Sequence, residues 1–138
     1  MGQTSKPDAT TTARNPATIH PPVGPYSHQV EVNGSQRWLA IAGQVGRAPD
    51  GRVPEDPIEQ VELALENVLR NLEAAGMEVS DLVKWNWYLV GQVDAAGRRE
   101  VTLRWLGGHE PASTLVYVAA LAAPEYRVEV EAWACHAE

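Results

Sequence analysis

Ile58, Val61, Leu65, Val68 and Leu72 recur at steps of three and four residues, the spacing that lays apolar side chains in one stripe along an α-helix. Both ends of the stripe are marked. Asp56 is an N-cap residue, Pro57 suits a first turn where its missing N–H costs nothing, and Glu59 completes a capping-box-like spacing. Gly76 supplies the left-handed residue that stops a helix. A helix with one apolar stripe must bury it against another layer, and the segments on either side are β-type. The chain is thereby held to an arrangement of helices on a sheet.

Ahead of the helix, Val30 and Val32 alternate with Gln29 and Glu31 within Ser27–Val32. Asn33-Gly34 follows, a pair that tolerates positive φ and predicts a tight hairpin. The return strand Arg37–Ala42 is nearly all apolar, which predicts a central strand covered on both faces. Beyond the helix, Val83–Val90 alternates Val83, Trp85, Trp87 and Leu89 with Lys84, Asn86 and Tyr88. Asp94 can cap a second helix reaching about Leu106, with Val101 and Trp105 sharing a face and Gly107-Gly108 closing it. Thr114–Leu121 and Tyr126–Cys135 read as two more strands, divided by Pro124. The order is ββαβαββ. Right-handed crossovers then predict an α+β fold, one mixed sheet with two helices on one face. The other face would carry apolar surface with no helix over it, and self-association is its simplest cover.

Residues 1–17 are polar, Thr-rich and without apolar period, which predicts a flexible N-terminal arm; residues 18–138 form a single domain. The formal charge of −7 repels phosphate backbones and anionic membranes, so neither nucleic acid nor a membrane is an expected partner. No apolar run spans a bilayer and no signal pattern opens the chain, so a cytoplasmic location is expected. The lone Cys135 cannot bridge internally and reads as a small buried residue. His20, His109 and His136 have no ligand-like spacing, and no metal is expected. His28, sharing a strand face with Tyr26, is an available acid or base or else a surface residue. Trp38 and Trp133 read as core or interface. Trp85 and Trp87 read as core, or as a platform for a planar ligand.

Gly24-Pro25-Tyr26-Ser27, Ala42-Gly43-Gln44, Asn71–Gly76 and Asp81–Lys84 together resemble the Rid/YjgF family in order and spacing. Pro111–Thr114, Val118–Leu121 and Val128–Ala132 extend the resemblance, which covers about residues 20 to 135. It implies a ferredoxin-like, chorismate-mutase-like protomer in a homotrimer, with the sheets packed as a central barrel and small-molecule clefts between subunits. It implies a reaction as well: hydrolysis of reactive 2-imino and 2-enamino acids to 2-keto acids and ammonia, with no cofactor.

The same resemblance assigns residues. Tyr26 matches the family's cleft tyrosine, Glu129 its water-activating glutamate, and Gly43 a backbone amide contact. Deaminase members carry Pro-Ala-Arg-Ser, whose arginine holds the substrate carboxylate in a bidentate fork. Here Ser113 stands in that place, with Thr114 and Leu115 after it. Arg99 falls near the family's cleft asparagine, where it can supply the missing cation from another direction. Glu129 and Glu131 lie on one strand, of which one is expected to face the cleft. The resulting expectation is imine or enamine hydrolysis of altered specificity, with Glu129 and Tyr26 catalytic and Gly43, Ser113, Thr114, Leu115 and Arg99 binding substrate. The alternative is a trimer that binds a small molecule without turning it over. RNA cleavage, proposed for some relatives, is disfavoured by the acidic balance.

Overall fold

The computed structural model describes residues 10–137. In chain order the elements are β1 (Thr10–Arg14), β2 (Gln29–Asn33), β3 (Gln36–Val45), α1 (Pro57–Ala74), β4 (Leu82–Leu89), α2 (Ala95–Leu106), β5 (Ala112–Tyr117) and β6 (Val128–Ala137). A single 3₁₀ turn, Val79–Asp81, precedes β4. Four strands form a mixed sheet in the order β3-β6-β4-β5, parallel between β4 and β5 and antiparallel elsewhere. The remaining two, β1 and β2, pair antiparallel with each other as a separate ribbon.

Both helices form where the sequence marks them. Asp56 accepts a hydrogen bond from Ile58 N–H, with Pro57 in the first turn of α1. At the other end, Met77 N–H bonds Leu72 C=O while Gly76 N–H bonds Glu73 C=O, with Gly76 at φ 69°. That pair is the Schellman closure, and Leu72 and Met77 are both buried beside it. Asp94 caps α2 through Ala96 N–H and Gly97 N–H, and Gly107 ends it in the left-handed region. The stripe of α1 packs onto β3 and β6, with α2 alongside. Val61, Leu65, Val68 and Leu72 there meet Val130, Ala132, Leu82 and the two tryptophans of β4 in one core.

Four expectations from the sequence change. The Asn33-Gly34 hairpin does not form. Only Gly34 has positive φ, so Asn33 does not take the second left-handed position that a type I′ turn needs. The chain instead swings β2 onto β1, with Thr12 opposite Glu31 and Arg14 opposite Gln29. Arg14 bonds Gln29 Oε1 at 3.1 Å and Glu31 Oε1 at 2.7 Å. Thus the expected arm of residues 1–17 contains a strand; residues 1–9 lie outside the described part. Strand β3 in turn is an edge strand and not a central one, because its expected partner has left. Finally, β5 ends at Tyr117, short of Leu121.

The face of the sheet away from the helices is open within one chain. Trp38 is 55 % exposed and Trp133 37 %, beside Ala40 and Ala42 of β3, so these two tryptophans are not core. Among the described residues no helix is long and apolar enough to cross a membrane.

Candidate functional site

The Gly24–Ser27 loop is tied to the start of β5. Ser27 is 4 % exposed; its N–H bonds Pro111 C=O and its hydroxyl donates to Glu110 C=O at 2.7 Å. A parallel bridge from Ser27 to Ala112 completes the tie. Tyr26 is thereby held beside β5, its hydroxyl accepting from Val23 N–H at 3.2 Å. In register, Ser113 sits against Trp85 and Leu115 against Trp87. Both tryptophans point toward the helices, and α2 closes the space over them with Arg98 and Thr102. The result is a cavity of about 240 Å³ whose walls include Tyr26, Trp85, Trp87, Arg98, Ser113 and Leu115.

Its aromatic floor is rigid. Trp85 meets Trp87 edge-on at 5.2 Å and stacks on Trp105 at 5.8 Å between ring centroids. The two β4 tryptophans are therefore core and cavity wall at once.

Strand period separates the remaining candidates. Successive side chains of a strand point to opposite faces, so Thr114 leaves the cavity that Ser113 and Leu115 line. It lies on the open face and accepts a hydrogen bond from Lys84 Nζ at 2.6 Å. Glu129 and Glu131, two residues apart, share that open face. Glu131 is engaged: Asn86 Nδ2 donates to it at 2.9 Å and Tyr88 donates its hydroxyl. These bonds, Asn86 foremost, hold its carboxyl below the usual carboxylate range, and the same contact raises the Tyr88 phenol.

Glu129 differs. It makes no hydrogen bond or ion pair with any described residue. It lies instead across Gly43: a Cβ there would collide with Oε1 of Glu129 and stand 2.6 Å from its Cδ. With the carboxylate in this place, a larger residue at position 43 has to push it aside. The bulge between Ile41 and Gln44 opens β3 at this point. The start of β6 is anchored by buried Gln60 of α1, which bonds Glu125 C=O and Arg127 N–H.

Tyr26, Ser113 and Leu115 thus meet in a cavity on the helix side. Gly43, Glu129 and Thr114 lie on the open side. Arg99 is exposed and is not among the residues lining the cavity; its neighbour Arg98 is.

The family described as Endoribonuclease L-PSP matches residues 17–136. The chain belongs to this family, the Rid/YjgF proteins. Among solved relatives, the Rid-family protein YyfB of Yersinia pestis superposes with a TM-score of 0.81 at 32 % identity, covering 91 % of this chain and 98 % of its own. Escherichia coli TdcF, solved with bound serine, gives 0.65 at 32 % identity over 83 % of this chain and 91 % of its own. The 2-iminobutanoate/2-iminopropanoate deaminase of Mus musculus is 36 % identical over 123 residues, 88 % of this chain and 85 % of its own. The α+β architecture with two helices on a mixed sheet is that of these Rid proteins.

The other candidates in this Rid protein have structural partners. His28 directs Nε2 at His20 C=O, 2.8 Å away, so this nitrogen carries the hydrogen; its ring stands edge-on to Tyr26 outside the cavity lining. Cys135 is buried, and burial, followed by the charge of Asp81, pushes its thiol up, away from the reactive thiolate. No group of three His, Cys, Asp or Glu among the described residues is placed to hold a metal.

Proposed function

We propose that this chain hydrolyses small reactive imines or enamines to a carbonyl compound and ammonia, without a cofactor, in a homotrimer whose clefts join the cavity of one copy to the open sheet face of another. Membership in the Rid family and a relative named for 2-iminobutanoate and 2-iminopropanoate deamination support the reaction class. The serine bound to TdcF supports a ligand of amino-acid size. The observation that carries the reading is Glu129, a carboxylate without a hydrogen-bond partner among the described residues, lying in the space over Gly43 that a side chain there would take.

Water adds to the C=N carbon and passes one proton through Glu129 to the nitrogen, giving the carbinolamine. Glu129 then takes the carbinolamine O–H proton and delivers it to the same nitrogen as the C–N bond breaks and the carbonyl forms, so one imine and one water become one carbonyl and one ammonia. General base and acid roles of this kind contribute roughly 10²–10⁴-fold. Tyr26 lines the cleft. Ser113 and Thr114 supply hydrogen bonds from opposite faces of β5. With Ser113 in place of the family's arginine, the specificity differs from that of standard 2-imino acid deaminases.

Within one chain the cavity and Glu129 lie on opposite faces of the sheet, which favours a second reading, binding without turnover, if the copies do not assemble. The test generates 2-iminopropanoate in situ with an amino-acid oxidase and follows keto-acid release with and without the protein. Acceleration that Glu129→Gln abolishes, in a particle of three protomer masses, supports the proposal. Ligand protection against heat without acceleration over a panel of imines rejects it in favour of binding alone.

A further inference from the structure

Arg98 is half-buried in a cavity otherwise built from aromatic and aliphatic side chains, Ser113 and Thr102. Its Nε is buried with no hydrogen-bond partner, and no carboxylate of the described residues pairs with it. Nearby cationic side chains are matched: Arg104 reaches Glu62 at 3.7 Å, and Arg127 donates to Val90 and Gln92 carbonyls at 2.8 Å. A guanidinium stays charged in proteins, so the charge cannot be shed to relieve the burial. Burial holds it below its ordinary pKa, while Tyr117 opposes that and Arg99 adds to it. A half-buried guanidinium whose inner Nε has no partner, facing a cavity, is a candidate for completion by a ligand.

Its place on the helix adds to the strain. Arg98 is the fourth residue of α2, directly after the N–H groups that Asp94 caps. Helix N-termini are electropositive, so an arginine at this point gains nothing from the helix dipole. An anion in the cavity makes the arrangement favourable. Ser113, with its small side chain, lines the same cavity as the guanidinium.

We infer that Arg98 is the carboxylate-binding residue of this cavity, clamping the anion of a small 2-imino or 2-keto acid whose apolar end lies on Trp87 and Leu115. The inference rests on the reading of the cavity as a substrate site, and it moves the cation from β5 to α2. A planar fork suits the two carboxylate oxygens, which a serine hydroxyl cannot match. The enclosed volume fits a short side chain, and the aromatic wall gives it contact without hydrogen bonds.

Calorimetric titration with 2-oxobutanoate, the keto acid, and 2-butanone, its counterpart without the carboxylate, tests this on the full chain. The wild type binds the acid and prefers it to the ketone. Arg98→Met lowers affinity for the acid roughly 30-fold or more and leaves the ketone unchanged. Arg98→Lys, which keeps charge without the fork, falls between and guards against misfolding of the first variant. Ser113→Arg in the Arg98→Met background restores acid binding. Arg104→Met, on the same helix, has no effect. Equal acid affinity in wild type and Arg98→Met, or a loss that appears in Arg99→Met instead, overturns the inference. Glu129→Gln separates the two readings: acid binding retained with hydrolysis lost upholds both. Acid binding sensitive to Arg98 in a protein that hydrolyses no imine upholds the clamp and rejects the enzyme. Imine hydrolysis sensitive to Glu129 but indifferent to Arg98 does the reverse.

Discussion

The two faces of the four-stranded sheet carry opposite chemistry. On the helix side the cavity is aromatic and cationic, with Arg98 the one charge in its lining. On the open side lie two carboxylates, Glu129 and Glu131, with Asn86 and Tyr88 donating to the second and Lys84 donating to Thr114. A binding cation and a basic carboxylate in direct contact would neutralise each other as an ion pair. Keeping them on opposite faces leaves each without a partner, so each remains available to a ligand. Glu131 makes the contrast within the open face itself. Its two donors occupy it, whereas Glu129 beside it has none.

The largest effect expected is the loss of that division of labour at Glu129. Glu129→Gln keeps the shape and removes the base, so imine hydrolysis falls by roughly 10²–10⁴ while acid binding and the unfolding midpoint hold. Gly43→Ala tests the same point from beneath. Its methyl displaces the carboxylate and lowers turnover without touching a titratable group. If Gly43→Ala hydrolyses imines as well as the wild type, the placement of Glu129 is not what supports catalysis.

Next comes the cavity floor. Trp87 is 2 % exposed and is shared between core and cavity, so Trp87→Ala removes both packing and wall. About 3–5 kcal/mol of stability is lost, read from urea unfolding. That is a large part of what a domain of this size possesses. Asp94→Ala acts on the opposite wall: it frees Ala96 N–H and Gly97 N–H at the start of α2 and costs about 1 kcal/mol. Because Arg98 sits in that turn, acid affinity weakens along with stability. An Asp94→Ala protein with intact acid affinity would mean that packing alone positions Arg98.

Much of this was legible beforehand, and for physical reasons. Helix α1 was fixed by local signals, since Asp56, the five-residue stripe and Gly76 all act within a few residues of one another. The burial alternation of β4 likewise follows from Val83-Lys84-Trp85-Asn86-Trp87 alone. The hairpin failed because Asn33-Gly34 permits a turn without requiring it, and the competing partner was β1, a run of threonines whose β-branched preference was available as a signal. Arg98 was missed for a different reason. Arg99 was chosen by alignment to a family position, yet helical period places Arg98 three residues before Val101 and four before Thr102, both buried. Period, applied to α2 as it was to α1, points to the inward arginine. The split of Ser113 and Leu115 from Thr114 was readable from strand alternation in the same way.

The smallest effect is also the sharpest probe of the open face. Glu131 titrates below the usual carboxylate range, chiefly because Asn86 donates to its charged form and Tyr88 adds a second bond. A group whose pKa falls on folding stabilises the fold above its unfolded value, about 4.3 for Glu, and loses that contribution as pH drops through the folded value. Asn86→Ala removes the leading donor, so the variant is less stable than wild type at neutral pH. The two converge as the pH falls through the lowered folded value of Glu131, below which it is protonated in both. Urea midpoints for the pair between pH 7 and pH 2 measure this, with carboxyl NMR of Glu131 as a direct reading. A gap that stays constant to pH 2 would show Asn86 acting through packing, and the engaged state of Glu131 would then rest on Tyr88. In that case Tyr88→Phe carries the pH dependence instead, at the acid end through Glu131. At the alkaline end it acts through loss of a phenol whose raised pKa stabilises the fold only until the hydroxyl ionises.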